Sequence, residues 1–176
     1  EEEAEPFLAR IERALPEPGE LAVFDRSHYE DAIVPAVHER ESDDIVDARV
    51  DAIRRFEEDL VADGVVIVKC LLNVSYDEQR ERFLSRLREP DKQWKFSDAD
   101  LETRRSWSHF VAAYGAVIGR TSTELAPWHV VPADRKWYRN WAIAQILLDA
   151  LRELHDEHPR PDFDVAALEA RLEPPH

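Results

Sequence analysis

With 176 residues, 44% hydrophobic and 35% charged, the chain has the length and apolar content of one ordinary domain. A formal net charge of −15 argues against nucleic acid or an anionic membrane as the main partner. No apolar run approaches a membrane span, no signal peptide opens the chain, and the lone Cys70 can form no internal disulfide, so a soluble cytoplasmic protein is expected. The sequence opens on Glu1-Glu2-Glu3 and holds no methionine, which predicts an incomplete chain.

In chain order, Phe7, Leu8, Ile11 and Leu15 recur at helical spacing over residues 3–15, and Pro16, Pro18 and Gly19 stop that helix. Leu21-Ala22-Val23-Phe24 then forms a short apolar run that ends abruptly in Asp25-Arg26-Ser27. It reads as a strand buried on both faces, as in a parallel sheet. A short helix is predicted around Tyr29–His38, and charged residues 39–45 read as a loop. Val46, Val50, Ile53, Phe56 and Leu60 mark one face of an amphipathic helix, with Gly64 as its C-cap.

Val65 to Val74 is the most apolar run and reads as a central strand, interrupted by Lys69 and Asn73. Ser75 and Glu78 form a capping-box pattern for a helix that Pro90 limits. Residues 90–97 read as an exposed connection, and one long helix is predicted from Ser97 to Thr121. Trp128 to Val131 is a third strand, followed by a helix from Arg135 to Glu153 whose wide apolar face, with Trp137, Trp141, Leu148 and Leu151, is expected to be buried. The proline- and acid-rich tail from His155 is expected on the surface. Strands alternating with helices predict a parallel sheet with helical crossovers. Three strands leave faces and edges uncovered, so further strands outside these residues, or oligomer contacts, are expected to cover them.

Three stretches carry chemistry. Asp25 and Arg26 stand at a predicted strand's carboxyl end, where ligands of open α/β sheets bind. There a carboxylate can serve Mg²⁺ and a guanidinium can grip phosphate oxygens; equally, Asp25 can cap the next helix and Arg26 be solvated. Between Arg80 and Lys95 the local charge turns positive, and Arg82 and Arg86 share a helix face. That pair suits a polyanion, or can pair with the surplus carboxylates nearby. Thr121-Ser122-Thr123 can hold a phosphate or a base edge, or simply stop a helix, and Lys136 and Arg139 can face the same site or solvent. The histidines make no metal-site pattern. A P-loop needs G-x-x-x-x-G-K-[ST], and none of Gly19, Gly64, Gly115 and Gly119 precedes a lysine.

Taken in order, these segments resemble the polyphosphate kinase 2 family. The resemblance runs through Val23-Phe24-Asp25-Arg26-Ser27-His28-Tyr29-Glu30-Asp31, Phe56-Glu57, Gly64 and Lys69, then Glu78-Gln79, Arg82, Arg86, Lys92 and Trp94-Lys95-Phe96-Ser97. It continues through Asp100-Leu101, Thr121-Ser122-Thr123-Glu124, Ala126-Pro127-Trp128, Val131-Pro132-Ala133-Asp134 and Lys136-Trp137-Tyr138-Arg139-Asn140.

The resemblance implies an α/β fold, a P-loop kinase-like three-layer αβα arrangement with a parallel sheet and a helical lid, its N-terminal strands missing from this chain. Residues 1–176 would then be one partial kinase-like domain, with the lid at about 82–97. It implies Mg²⁺-dependent phosphoryl transfer between inorganic polyphosphate and nucleoside mono- or diphosphates, by a homo-oligomer. Asp25 would serve the metal, Arg26 and Arg86 the phosphates, and Arg82, Lys95, Thr121, Ser122, Lys136 and Arg139 would bind substrate. The family's P-loop lysine and second metal-binding aspartate have no counterpart in these residues. The competing readings are an ATP-dependent nucleoside or nucleotide kinase and a non-catalytic acidic interaction protein.

Overall fold

The structure is a computed structural model that describes residues 7–38, 41–154 and 162–172. The first helix, α1, is short, Ala9–Glu12, and the N-terminal part of the helix predicted over 3–15 lies partly outside the described residues. Helix α2 spans Glu30–Val37 and α3 spans Asp43–Ala62, the latter starting after Ser42 within the predicted loop. Gly64, at φ 89°, ends α3: its N–H reaches Val61 O at 3.0 Å and Val65 N–H reaches Leu60 O at 2.9 Å. Both bonds follow a left-handed C′ residue, which glycine adopts without a Cβ clash.

Strand β1, Lys69–Asn73, pairs in parallel with β2, Trp128–Pro132, with Lys69 opposite Trp128 and Asn73 opposite Pro132. Helix α4, Tyr76–Arg88, leads into a 3₁₀ turn over Pro90–Lys95. Ser75 caps α4 by accepting from Glu78 N at 3.1 Å, while its own N–H donates to Asp134 Oδ1 at 2.7 Å. Half of the expected capping box is thus supplied from the far end of β2 instead of by Glu78.

Two expectations from the sequence need correction here. The single long helix is two, α5 (Asp98–Arg105) and α6 (Trp107–Thr121), broken at Ser106. The reason is divided packing. Arg104 of α5 stacks on Tyr76 at 3.4 Å and donates to Tyr76 O at 2.7 Å, so α5 follows α4. Helix α6 follows the core instead, through Val117. The run Leu21–Phe24 is not a strand among the described residues: it is irregular and exposed, with Val23 81% accessible. No described strand lies beside it, and four residues without a ladder cannot hold strand geometry. The described sheet therefore has two strands where three were predicted, although its parallel pairing and the α/β class agree with the sequence reading.

Helix α7, Lys136–Glu153, also departs from expectation: it buries no residue, and Trp137 is 67% exposed. Its periodicity is that of a packed helix, but among the described elements chiefly β2 packs against it. Helix α8, Val165–Leu172, is exposed throughout, as expected of a surface tail; residues 155–161 lie outside the described set. Among the described residues no helix is long and apolar enough to cross a membrane.

The core joins α2, α3 and α6: Tyr29, Ala32 and Ile33 meet Val50, Ile53 and Val117. Ile53 is fully enclosed there. Replacing Ile53 by alanine is expected to cost about 2–5 kcal/mol. Urea denaturation of the two proteins measures the difference.

Candidate functional site

At the carboxyl ends of the two parallel strands, a hollow of about 340 Å³ is lined by Asn73, Ser75, Pro132, Asp134, Arg135, Trp137 and Tyr138. Open α/β sheets bind ligands at this end. The N-termini of α4 and α7 lie on either side of it, because each helix begins within four residues of its strand's end. The hydrogen bonds from Ser75 hold the Asp134 carboxyl below its usual range.

Both helices and the turn after α4 carry cations, of which Arg82 reaches the end of β2. Arg82 donates through Nη2 to Ala133 O at 2.6 Å and Asp134 O at 3.3 Å, and through Nε to Glu78 Oε1 at 2.8 Å. Its fork therefore ties α4 to the end of β2. Arg86, one turn on, lies over the Phe83 ring at 5.4 Å. In the 3₁₀ turn, Lys95 sits 5.1 Å over Trp94, whose ring is 78% exposed, and Lys92 pairs with Glu89. Hydrogen bonds from Lys92 and Ser85 hold Glu89 below its usual range. Arg139, in the first turn of α7, donates to Asn140 Oδ1 at 2.8 Å.

The remaining predicted site residues stand elsewhere. Thr121 is fully buried, its hydroxyl donating to Val117 O at 2.8 Å and accepting from Trp128 Nε1 at 3.0 Å. Ser122 Oγ accepts from Trp128 N at 3.1 Å. Both lie at the amino end of β2, about 13 Å of strand from the hollow. Asp25 is exposed on the turn before α2 and makes no hydrogen bond or ion pair among the described residues. Arg26 beside it adopts φ 67°, a left-handed conformation rare for a residue with a side chain, and its Nε lies 3.8 Å from Glu30. Among the described residues no three His, Cys, Asp or Glu side chains cluster as a metal site.

A buried ionic network lies behind these residues and was not read as such from the sequence. Lys69 Nζ donates to Glu57 Oε2 at 2.5 Å and to Thr121 O at 2.8 Å, with Tyr29 OH at 3.3 Å. Tyr29 OH donates to Glu57 Oε1 at 2.7 Å. His28 Nε2 lies 3.7 Å from the same oxygen and has no hydrogen-bond partner among the described residues. Burial pushes the Tyr29 phenol far up, and the Glu57 carboxylate adds to the shift. Burial also opposes ionisation of Glu57, but the His28 ring 3.7 Å away and the hydrogen bonds from Lys69 and Tyr29 outweigh it and hold the carboxyl below its usual range. The signal was present: Glu57 falls on the buried stripe of Val50 and Ile53, and Lys69 is the one charge in the most apolar run.

An open parallel sheet with a hollow at its strand ends, flanked by two helix starts, defines an α/β protein of the kind that binds ligands at the carboxyl ends of its strands. The chain belongs to the polyphosphate kinase 2 family, whose model, Polyphosphate kinase 2 (PPK2), matches residues 1–159. It is 44% identical over 162 residues to the AMP/ADP-polyphosphate phosphotransferase of Meiothermus ruber, across 92% of this chain and 61% of that protein. It is 39% identical over 165 residues to the ADP-polyphosphate phosphotransferase of Rhodopseudomonas palustris, across 87% and 57% of the two. The crystal structure of polyphosphate kinase 2 from Arthrobacter aurescens TC1 matches with a TM-score of 0.91 at 46% identity, over 96% of this chain and 60% of that one. The fold is accordingly P-loop kinase-like, and the chain spans about three fifths of the length of these relatives.

The Glu57 shift has a consequence for stability. A carboxyl whose pKa falls on folding stabilises the native state above its unfolded pKa, and loses that contribution as the pH drops through the folded value. Glu57→Gln, which leaves the Lys69 ammonium uncompensated, is expected to cost about 3–5 kcal/mol at neutral pH. The deficit relative to wild type should hold down to about pH 5 and shrink below the ordinary carboxylate range. Urea denaturation from pH 7 to pH 3 measures it; a deficit that widens toward acid contradicts the assignment.

Proposed function

We propose that this protein transfers phosphoryl groups between inorganic polyphosphate and nucleoside mono- or diphosphates. In the forward direction an acceptor phosphate oxygen attacks a terminal phosphorus of polyphosphate, one P–O bond forms, and the anhydride bond to the shortened chain breaks. The observation that carries this reading is the placement of Arg82, Arg86 and Lys95 on α4 and the turn after it, and of Lys136 and Arg139 in the first turn of α7, the two helices that start at the strand ends, in a chain at −15. A polyanion is the ligand such a reversal of charge suits, and family membership narrows it to polyphosphate.

In this reading Arg86 and Lys95 are the mobile-flap contacts to the phosphate chain, with Lys136 and Arg139 on the opposing helix. Arg82 holds the flap's root to β2 and offers its remaining donors to the substrate. Thr121 and Ser122, whose hydroxyls are taken by Val117 and Trp128, are not assigned a substrate contact in this reading. Asp25 and Arg26 serve the transferred group. Mg²⁺ is held by few protein carboxylates and otherwise by water and substrate oxygens, so a single exposed Asp25 fits its donor needs. Bound there, it would neutralise charge on the phosphate oxygens. The chain's own cations would orient the two substrates in line, which is the larger part of catalysis for this reaction. The protein is expected to act in the cytoplasm as a homo-oligomer, without a nucleic-acid or membrane partner.

Asp25→Ala in the full protein is expected to lower ATP formation from polyphosphate and ADP by at least about a hundredfold. Arg86→Ala and Lys95→Ala are expected to raise KM for polyphosphate more than KM for the nucleotide. Coupled detection of ATP and gel analysis of polyphosphate length report both. Undiminished turnover by Asp25→Ala removes that residue from the mechanism; ATP-dependent phosphorylation with no response to polyphosphate removes the substrate assignment.

A further inference from the structure

We infer that Glu57, acting through Tyr29 and Lys69, is a positioning residue for the Asp25–Arg26 turn, an inference that rests on the function just proposed. The turn has little of its own to hold it. Arg26 stands at φ 67°, and its ion pair with Glu30 is long and exposed. Ser27 contributes only a 3.4 Å contact from Tyr29 N to its Oγ and a 3.1 Å bond from Glu30 N to its carbonyl. A left-handed non-glycine residue persists where the surrounding structure over-determines it.

Tyr29 supplies that constraint. It is 4% exposed, its ring meets Trp128 edge-on at 4.8 Å, and its hydroxyl donates to Glu57 Oε1 at 2.7 Å. Glu57 is in turn held by Lys69 at 2.5 Å, and Lys69 by the Thr121 carbonyl at 2.8 Å. The residue three positions beyond Arg26 is thereby tied at once to α3, β1, β2 and the end of α6. A fully connected buried network is stiff, and a charged acceptor makes the Tyr29 bond stronger than a neutral one would. Without that bond the aromatic ring still fills the core, but the register of the turn relative to the sheet is set by packing alone. Displacement of about 1 Å at a reacting centre is enough to cost a hundredfold in rate.

Tyr29→Phe removes the hydroxyl and keeps the ring, so it is the primary test; Glu57→Gln is the second. In the full protein each is expected to lower kcat with polyphosphate at least about tenfold, with KM for the nucleotide within about twofold. Hydrogen exchange of the amides at 25–29 is expected to quicken in both variants, while the α6 amides at 113–118 in Tyr29→Phe keep wild-type rates. Wild-type kcat and wild-type exchange at 25–29 in Tyr29→Phe overturn the inference. So does a uniform rise in exchange through α3 and α6 of Tyr29→Phe with kcat falling only in step with lost stability, the pattern of a merely structural role. If wild type transfers nothing from polyphosphate yet the turn loosens in both variants, the positioning stands and the functional reading falls.

Discussion

The structure depends on one buried ion pair. Lys69 and Glu57 are both almost wholly removed from water, at 5% and 6% side-chain exposure, and in contact at 2.5 Å. Stripping two charges of solvent costs several kcal/mol each, and their attraction offsets this only when the geometry is close and the remaining donors and acceptors are used. Here they are used: Tyr29 fills the second Glu57 oxygen and the Thr121 carbonyl takes another Lys69 proton. A pair of this kind either forms completely or destabilises the state that contains it. It therefore specifies how α2, α3, α6 and the sheet meet more sharply than apolar contact alone would.

That constraint divides the molecule into two regions with different physical character. On the α2–α3–α6 side, side chains interlock around Ile33, Ile53 and Val117, and among the described residues His28 Nε2 and Glu41 Oε2 are the buried side-chain atoms without a hydrogen-bond partner. Around the strand ends, by contrast, side chains are exposed and charged, and order comes from hydrogen bonds to main-chain carbonyls, as in the fork of Arg82 on Ala133 and Asp134. Such an arrangement fixes the root of α4 to β2 while leaving Trp94 and Lys95 exposed and Arg86 half-buried beyond it.

Local patterns were legible where local forces decide. The stripe of α3, the glycine that ends it, the cap at Ser75 and the stop at Pro90 all follow from spacing and backbone chemistry, and all stand where expected. The clustering of cations between Arg80 and Lys95 was equally plain. What escaped was whatever depends on a distant partner. Thr121 carries a hydroxyl in a turn-like setting, and nothing in its neighbours reveals that Trp128 and Val117 consume it. Arg82 looks like a free phosphate ligand until β2 arrives beside it. The run Leu21–Phe24 and the apolar face of α7 have the composition of buried elements, yet among the described residues the first stands exposed and the second is only partly covered, chiefly by β2.

By itself the sequence determined the α/β class, the boundaries of α2, α4 and α7, the sign of charge between Arg80 and Lys95 and the likeness to the polyphosphate kinase 2 family. Each of these is written in residue type and short-range spacing. Only the tertiary structure decided that Lys69 and Glu57, twelve residues apart on different elements, neutralise each other, that Thr121 faces inward, and that the long helix breaks at Ser106. The physical reason is the range of the forces. Propensity, capping and periodicity act within a few residues, whereas desolvation and charge pairing depend on which elements the fold brings together.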